Sequence, residues 1–312
     1  MPYQTSSPLL FIIFNRPDTT LTVFERIREA KPKRLYIAAD GPRTSREDEE
    51  HLCSEARKVI EQVDWDCSVE TLFREKNLGC KYAVSSAVDW FFSKEEEGII
   101  LEDDCLPSND FFRFCDEMLV KYRYDSRIRH ITGCNLQYGK KWGDATYYFS
   151  RNVHVWGWAS WKRVWNSYDV ELSKYQRPEA ERQFSNVFSE QLLIQSWVDI
   201  FQQLKDGKID TWDYQVGIIN FFENGLCVIP NCNLVSNIGF GQNATHTFNE
   251  VDRNANIPHE DLPAEVIHPE YILAETKADS LLLNRDFDIE NRLKKLRKKE
   301  RKMQIKRLLG FK

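Results

Sequence analysis

The chain is predicted to be an α/β protein: a mostly parallel sheet flanked by helices, with a basic helix at its C-terminal end. Three observations predict this. Apolar runs without polar alternation recur at 9–14 (LLFIIF), 34–39 (RLYIAA) and 98–101 (GIIL). Each is too short for a helix and too apolar for a half-exposed strand, so each reads as a strand buried on both faces. Stretches with apolar residues at helical spacing lie between them. Strand and helix thus alternate from residue 9 to residue 101, the pattern of parallel strands joined by right-handed crossovers.

Each element has a local reason. Pro17 suits the first turn of a helix, where its missing N–H costs nothing, and Leu21, Phe24, Ile27 and Ala30 supply that helix's apolar stripe. The second strand leads into a polar stretch from Asp40 to Glu50 and a helix ending near Gln62. A third strand near 68–73 and a helix over 78–92 precede the fourth strand. A helix is predicted from Ser108 or Asn109, just past Pro107, through Phe111, Phe112, Cys115 and Leu119, and a fifth strand at 128–132 (IRHIT), with His130 a core or edge residue. The aromatic stretch from Tyr138 to Tyr168 reads as loop. Helices follow over 189–205 and 212–223, ending near Gly207 and Gly225; Asn231 to His268, rich in Asn and Pro, reads as irregular. The last helix begins near Ile289.

A chain of 312 residues can bury one large core. Its net charge of −5 conceals an asymmetry: Arg292 to Lys312 hold eleven Lys/Arg and one acid, Glu300, which leaves 32 basic and 47 acidic residues, a net −15, in the rest. So acidic a body excludes nucleic acid as a partner, because phosphate neutralisation needs clustered cations. Only the tail suits an anionic partner. There Leu293, Leu296, Met303, Ile305, Leu308 and Leu309 stand among the cations, which fits either a helix on an anionic membrane surface or a solvated charged terminus. The eight cysteines show no CxxC pair and no metal-ligand spacing, so they read as reduced thiols. With no signal-peptide pattern and no run of eighteen apolar residues, the expected location is cytoplasmic, and peripheral at the inner face of the membrane if the tail docks.

The strongest chemical signal is IILEDDCLPSNDFF at 99–112, where an apolar strand runs into Glu102, Asp103 and Asp104 and then into a turn and a helix. In an open parallel sheet, ligands sit beyond the carboxyl ends of the strands, where this cluster falls. Alternation would put Glu102 and Asp104 on one side and Asp103 on the other if the strand stays extended. Carboxylates crowded at the dry end of a strand repel one another. A divalent cation resolves that conflict, and oxygen-only ligands favour Mn²⁺ or Mg²⁺. A solvated acidic turn at a helix start is the alternative.

GIILEDDCLPSNDFF resembles the strand-acid-turn-helix element of the glycosyltransferases of the GT-A, Rossmann-like fold, in the nucleotide-diphospho-sugar transferase superfamily. It is especially similar to the Glu-Asp-Asp version found in N-acetylglucosaminyltransferases and related bacterial proteins. FNRPDTT at 14–20, ADGPR at 39–43, RxxNLG at 74–79, WGWASWKRVW at 156–165, DTWDYQ at 210–215 and NLVSNIGFGQNATHT at 233–247 extend the resemblance over about residues 8–250. It implies a metal-dependent transfer of a sugar, with UDP-sugars as the favoured donors, from a nucleoside diphosphate to a glycan or lipid-linked acceptor. It implies one GT-A domain over 1–275, with a nucleotide-sugar-binding half at 8–135 and an acceptor half at 136–275, followed by a basic helical tail at 276–312.

By the same resemblance Asp104 is the direct metal ligand, with Glu102 and Asp103 as donor contacts or ligands through water. Asn15, Arg16, Asp40, Arg74 and Asn77, at the ends of the earlier strands, are the other donor contacts. Asp40 resembles the acid that reads the base or ribose, and Arg74 would face the phosphates. As turn residues or helix caps, Asn and Asp have an alternative role. An inverting transfer needs a carboxylate to deprotonate the attacking hydroxyl; Asp213 resembles the position that supplies it, with Asp210 as the fallback. His246, in NATHT, would complete the metal shell, or is a hydrogen-bonded loop residue. Trp156, Trp158 and Trp161 form either a sugar-facing wall or core.

Two other enzyme classes fit less well. Sugar-nucleotide nucleotidyltransferases follow their first strand with a Gly-rich loop, where this chain has FNRPDTT, and no GxGxxG follows any strand as a nicotinamide enzyme requires. A non-catalytic glycan- or nucleotide-binding protein of the same fold remains the non-enzymatic alternative.

Overall fold

The structure, a computed structural model, describes residues 2–240 and 252–308. The first part of the chain holds β1 (Leu9–Ile13), α1 (Pro17–Ala30), β2 (Arg34–Ala39), α2 (Glu49–Arg57) with a 3₁₀ turn after it, β3 (Ser68–Phe73), α3 (Gly79–Lys94), β4 (Glu97–Glu102), β5 (Cys105–Pro107), α4 (Asn109–Tyr122) and β6 (Ile128–Thr132). The second holds β7 (Tyr147–Ser150), β8 (Trp158–Trp161), α5 (Lys162–Trp165), α6 (Arg177–Val187), α7 (Gln191–Lys205), α8 (Asp213–Phe222), β9 (Leu226–Pro230), β10 (Val235–Asn237), α9 (Thr276–Asp286) and α10 (Ile289–Leu308).

The fold is α/β, as the alternation predicts. Eight strands form one sheet in the order β3-β2-β1-β4-β8-β6-β9-β7. Strands β3, β2, β1 and β4 are parallel to one another, and β6 is parallel to β9. β8 is antiparallel to both of its neighbours, β4 and β6, and β7 is antiparallel to β9. Strands β5 and β10 make a separate antiparallel ribbon. In register, Ile13 pairs with Ala39 and Ile12 with Glu102, so β1, β2 and β4 end at nearly one level.

The absence of polar alternation in the first strands has a direct packing cause: both faces of the sheet are covered. Leu9, Phe11, Ile13, Leu35, Ile37, Ile99 and Leu101 pack against α1 and α4 on one face. Leu10, Ile12, Tyr36, Ala38 and Ile100 pack against α3 and Trp158 on the other. A third apolar cluster joins α6, α7 and α8 through Phe184, Trp197, Phe201 and Ile218, and takes in Ile289 from the start of α10. The N-terminal segment is pinned by the buried Asp116 of α4, whose carboxylate accepts bonds from Tyr3 Oη, Thr5 Oγ1 and Ser6 N, each 2.8 Å.

Several elements differ from expectation. The stretch from Tyr138 to Tyr168 is not simply loop: it contributes β7, β8 and the short α5. Its aromatic richness reflects strands of four residues, filled with Tyr, Phe and Trp that suit a pleated surface. Helix α6 and strands β5, β9 and β10 were not anticipated, α9 falls within the helical tail expected at 276–312, and β10 interrupts the segment expected to be irregular. Among the described residues, no helix is long and apolar enough to cross a membrane.

Candidate active site

A cleft of about 520 Å³ opens at the carboxyl ends of β1, β2 and β4. Six carboxylates among the described residues line it: Asp40 after β2, Glu102 and the adjoining Asp103–Asp104 turn at the end of β4, and Asp210 and Asp213 just before and at the start of α8. The two guanidinium groups that share it are those of Arg16, after β1, and Arg43, after β2.

The acidic turn departs from the predicted alternation. Strand β4 ends at Glu102 and the chain turns, so Asp103 and Asp104 do not point to opposite sides. Both reach one guanidinium nitrogen: Arg16 Nη2 donates to Asp103 Oδ1 at 2.8 Å and to Asp104 Oδ2 at 3.0 Å. Asp103 is buried and also accepts from Phe14 N–H at 3.0 Å. Burial drives the Asp103 pKa up to about 6 against the pull of Arg16, with Asp104 adding to the rise. Burial likewise opposes the charge on Arg16, but Asp103 and Asp104 outweigh it and hold the guanidinium's pKa above its ordinary value.

Glu102 has no such partner. Among the described residues no group donates a hydrogen bond to its carboxyl. Enclosure by protein, then the charges of Asp104, Asp103 and Asp213, push its pKa well above the ordinary carboxylate range.

Asp40 and Asn77 act as a clamp between loops. The Asp40 carboxylate accepts from Leu78 N–H at 3.0 Å and Asn77 Nδ2 at 2.9 Å, and Asn77 Nδ2 also reaches Gly41 O at 2.9 Å. Gly41 is required there because a Cβ would overlap the backbone of Lys76. Asp40 therefore both lines the cleft and holds a turn, so the two alternatives for it coexist. Burial raises its pKa while these backbone donors oppose the rise.

Two expected donor contacts stand outside the lining of the cleft. Arg74 turns its guanidinium to Ser86 Oγ at 2.8 Å, and Asn15 gives its amide to Glu49 Oε1 at 2.8 Å. Arg43, inside the quoted ADGPR motif, was passed over as a site residue. It lines the cleft while its backbone and guanidinium bond the buried Glu49, and its charge lies 5.3 Å from the Phe14 ring centre. A cation three residues past a strand-end acid was the available signal.

On the opposite wall, Asp213 begins α8. Thr211 Oγ1 donates to its Oδ1, which also accepts Tyr214 N–H at 2.9 Å, and neither bond engages Oδ2. Asp210 lines the same cleft but is engaged at a helix start. Its Oδ1 accepts Lys81 N–H at 3.1 Å at the start of α3, where the N-cap residue is Leu78, which has no side-chain acceptor. Gly79, at φ +77, leaves room for that carboxylate: a Cβ there would lie 2.9 Å from Asp210 Oδ2.

The tryptophans divide. Trp156 lines the cleft, whereas Trp158 and Trp161 are buried, so those two are core. Trp158 stacks on His130, whose ring also bonds His154 O at 2.9 Å, making that histidine a core residue. His246 lies outside the described residues. Gly239, not singled out in the sequence, approaches the acidic turn so closely that a Cβ would overlap Asp104 Oδ2 and Arg16 Nη1. The β5–β10 ribbon delivers it there, with Ile238 N–H bonding Asp104 O at 2.8 Å.

A divalent cation fits this donor set in one way. Among the described residues, no three His, Cys, Asp or Glu side chains close round a metal. The protein would then supply one or two carboxylates and a substrate the remaining oxygens, an arrangement common for Mg²⁺ beside phosphates. The surplus of Glu102, Asp103 and Asp104 over the single Arg16 is the electrostatic condition such an ion relieves.

Comparison with protein-family models gives no match, and comparison with curated proteins gives none. Among solved structures, the chain is similar to a UDP-glucose pyrophosphorylase complexed with UDP-glucose, at 11% identity and a TM-score of 0.35, over 72% of this chain and 90% of that one. It is similar to HddC from Yersinia pseudotuberculosis at 10% identity and a TM-score of 0.33, over 50% and 77%. A 4-diphosphocytidyl-2C-methyl-D-erythritol synthase from Anaerococcus prevotii gives 11% identity and a TM-score of 0.33, over 55% and 78%. Likeness at this level assigns neither a family nor an activity.

Proposed function

We propose that the chain is a glycosyltransferase that moves a sugar from a nucleoside-diphosphate donor, a UDP-sugar in the first instance, to a saccharide acceptor with inversion. One observation carries the reading: an acidic turn at the end of a parallel strand and a separate helix-start carboxylate, Asp213, share one cleft with Arg16 and Arg43.

The residues divide the work. Arg16 and Arg43 attract the diphosphate, and Asp40 sits at the strand-end position suited to a ribose hydroxyl or a base N–H. Trp156 and Tyr214 offer flat faces on which a sugar can pack. Asp104, with Glu102 or Asp103, would hold Mn²⁺ or Mg²⁺, which when bound supplies Lewis-acid stabilisation of charge on the departing diphosphate. Asp213 takes the proton of the acceptor hydroxyl as its oxygen bonds to the anomeric carbon. The bond from that carbon to the diphosphate breaks, and the nucleoside diphosphate leaves with the bonding pair.

Asp213→Asn should lower kcat by about 10²–10⁴ while leaving donor affinity nearly intact. Full activity in that variant would remove Asp213 as the base. Mn²⁺ with UDP should raise the thermal midpoint of the wild type but not of Asp104→Ala; an equal shift in both would overturn the cation site.

A further inference from the structure

Helix α10 leaves the body in the middle of its own apolar stripe. Ile289 is buried in the cluster formed by α6, α7 and α8, and Leu293, one turn on, packs against the same cluster. Arg292 Nη1 ties this first turn down through Ser196 Oγ at 2.9 Å. Residues 289, 293, 296 and 303 fall on one helical face, yet Leu296 and Met303 are 43% and 45% exposed. The face that seats the helix therefore continues past its seat. Lys294, Lys295, Arg297, Lys298, Lys299 and Arg301 surround the continuation and are exposed. Among these described positions Glu300 is the only acid after Glu290.

We infer that the part of α10 from Lys294 onward is a docking surface for an anionic phospholipid membrane. Charge complementarity selects an anionic occupant, since this segment is dense in cations while residues 1–291 carry a net −15. The exposed Leu296 and Met303 select a lipid interface over a polyanionic polymer. At an interface an apolar face is buried between flanking cations, whereas phosphate neutralisation by Lys and Arg has no use for it. The acidity of the body adds to this: a polymer long enough to run beyond the helix is repelled, and a flat surface touched at one projecting helix is not. The inference stands independently of the transfer reaction.

The test is sedimentation of the full chain with vesicles of phosphatidylcholine alone, or with about 30% phosphatidylserine, at low and high salt. Co-sedimentation is expected only with phosphatidylserine and should be lost at high salt. Lys295→Glu/Lys299→Glu should weaken it at least about tenfold, the expectation for reversing cations near a charged surface. Leu296→Ser/Met303→Ser, which keeps every charge, should weaken it several-fold. These positions lie beyond the packed first turn, so an unchanged thermal midpoint is expected and confirms that both variants fold. Equal sedimentation with both vesicle types, or no effect of Leu296→Ser/Met303→Ser, overturns the inference. So does tighter binding of a duplex oligonucleotide than of the vesicles, or a dimer in sedimentation velocity that the same variant dissociates.

Discussion

Glu102 is the residue on which the site's electrostatics turn. Its carboxyl meets Asp104, Asp103 and Asp213 without a hydrogen-bond donor among the described residues, and its pKa is raised well above the ordinary range. The raised value means that the folded state holds the proton more tightly than the unfolded state. That contribution to stability is present at low pH and is lost as pH rises from the ordinary carboxylate value through the raised one. Glu102→Gln should therefore stabilise the ligand-free protein at pH 8, and the advantage should vanish near pH 4. Thermal midpoints of the two proteins across that range are the measurement; a constant gap would contradict this electrostatic account. Asp210→Ala addresses the neighbouring acid. Loss of a cap on α3 should cost about 1 kcal/mol, with transfer retained, whereas loss of transfer would return the base role to Asp210. Residue types were legible here because chemistry restricts them: three adjacent acids after an apolar strand identify a strand end. Arg43 was harder to read, because its pairing with Glu49 and its place beside Phe14 depend on where α2 returns to the sheet.

At the scale of elements, legibility followed length and burial. Most strands and helices from β1 to β6 were readable because they carry an apolar run or a stripe of several turns, but β5, three residues long, was read as a turn. Strands β7 and β8 have four residues each and β10 three, too few for either period to register. The helix α6 has only two buried residues, Ala180 and Phe184, so its sequence presents almost no stripe. The β5–β10 ribbon is the most consequential of the unforeseen elements, because it brings Gly239 onto the acidic turn. Gly239→Ala should displace Asp104 and Arg16 and cost about 1–3 kcal/mol as an overpacked contact. It should also reduce the thermal shift given by Mn²⁺ with UDP. A variant with wild-type stability and shift would show that the approach is looser than described.

For the whole molecule, the sequence predicted an α/β sheet with its chemistry at the strand ends, and the eight-stranded sheet has that form. The sheet's second part depends on pairings between distant segments, for which local periodicity carries no information. Strand β8 is the clearest case, since Trp158 to Trp161 lies between β4 and β6, both earlier in the chain. A fragment ending at residue 135 should consequently aggregate when expressed alone, and co-expression of 136–312 should rescue part of it. A soluble, monomeric fragment would count against that expectation.

The insertion of β8 also sets a timetable for the newly made chain. When β4 emerges, its Gly98-Ile99-Ile100 segment can pair with β1 on one side only, and its other edge is an open row of backbone groups flanked by apolar side chains. That edge stays uncovered until Trp158–Trp161 has been synthesised and has folded back. The nascent protein is thus most vulnerable to mispairing during the interval in which β4 already exists but the strand that covers its open edge does not.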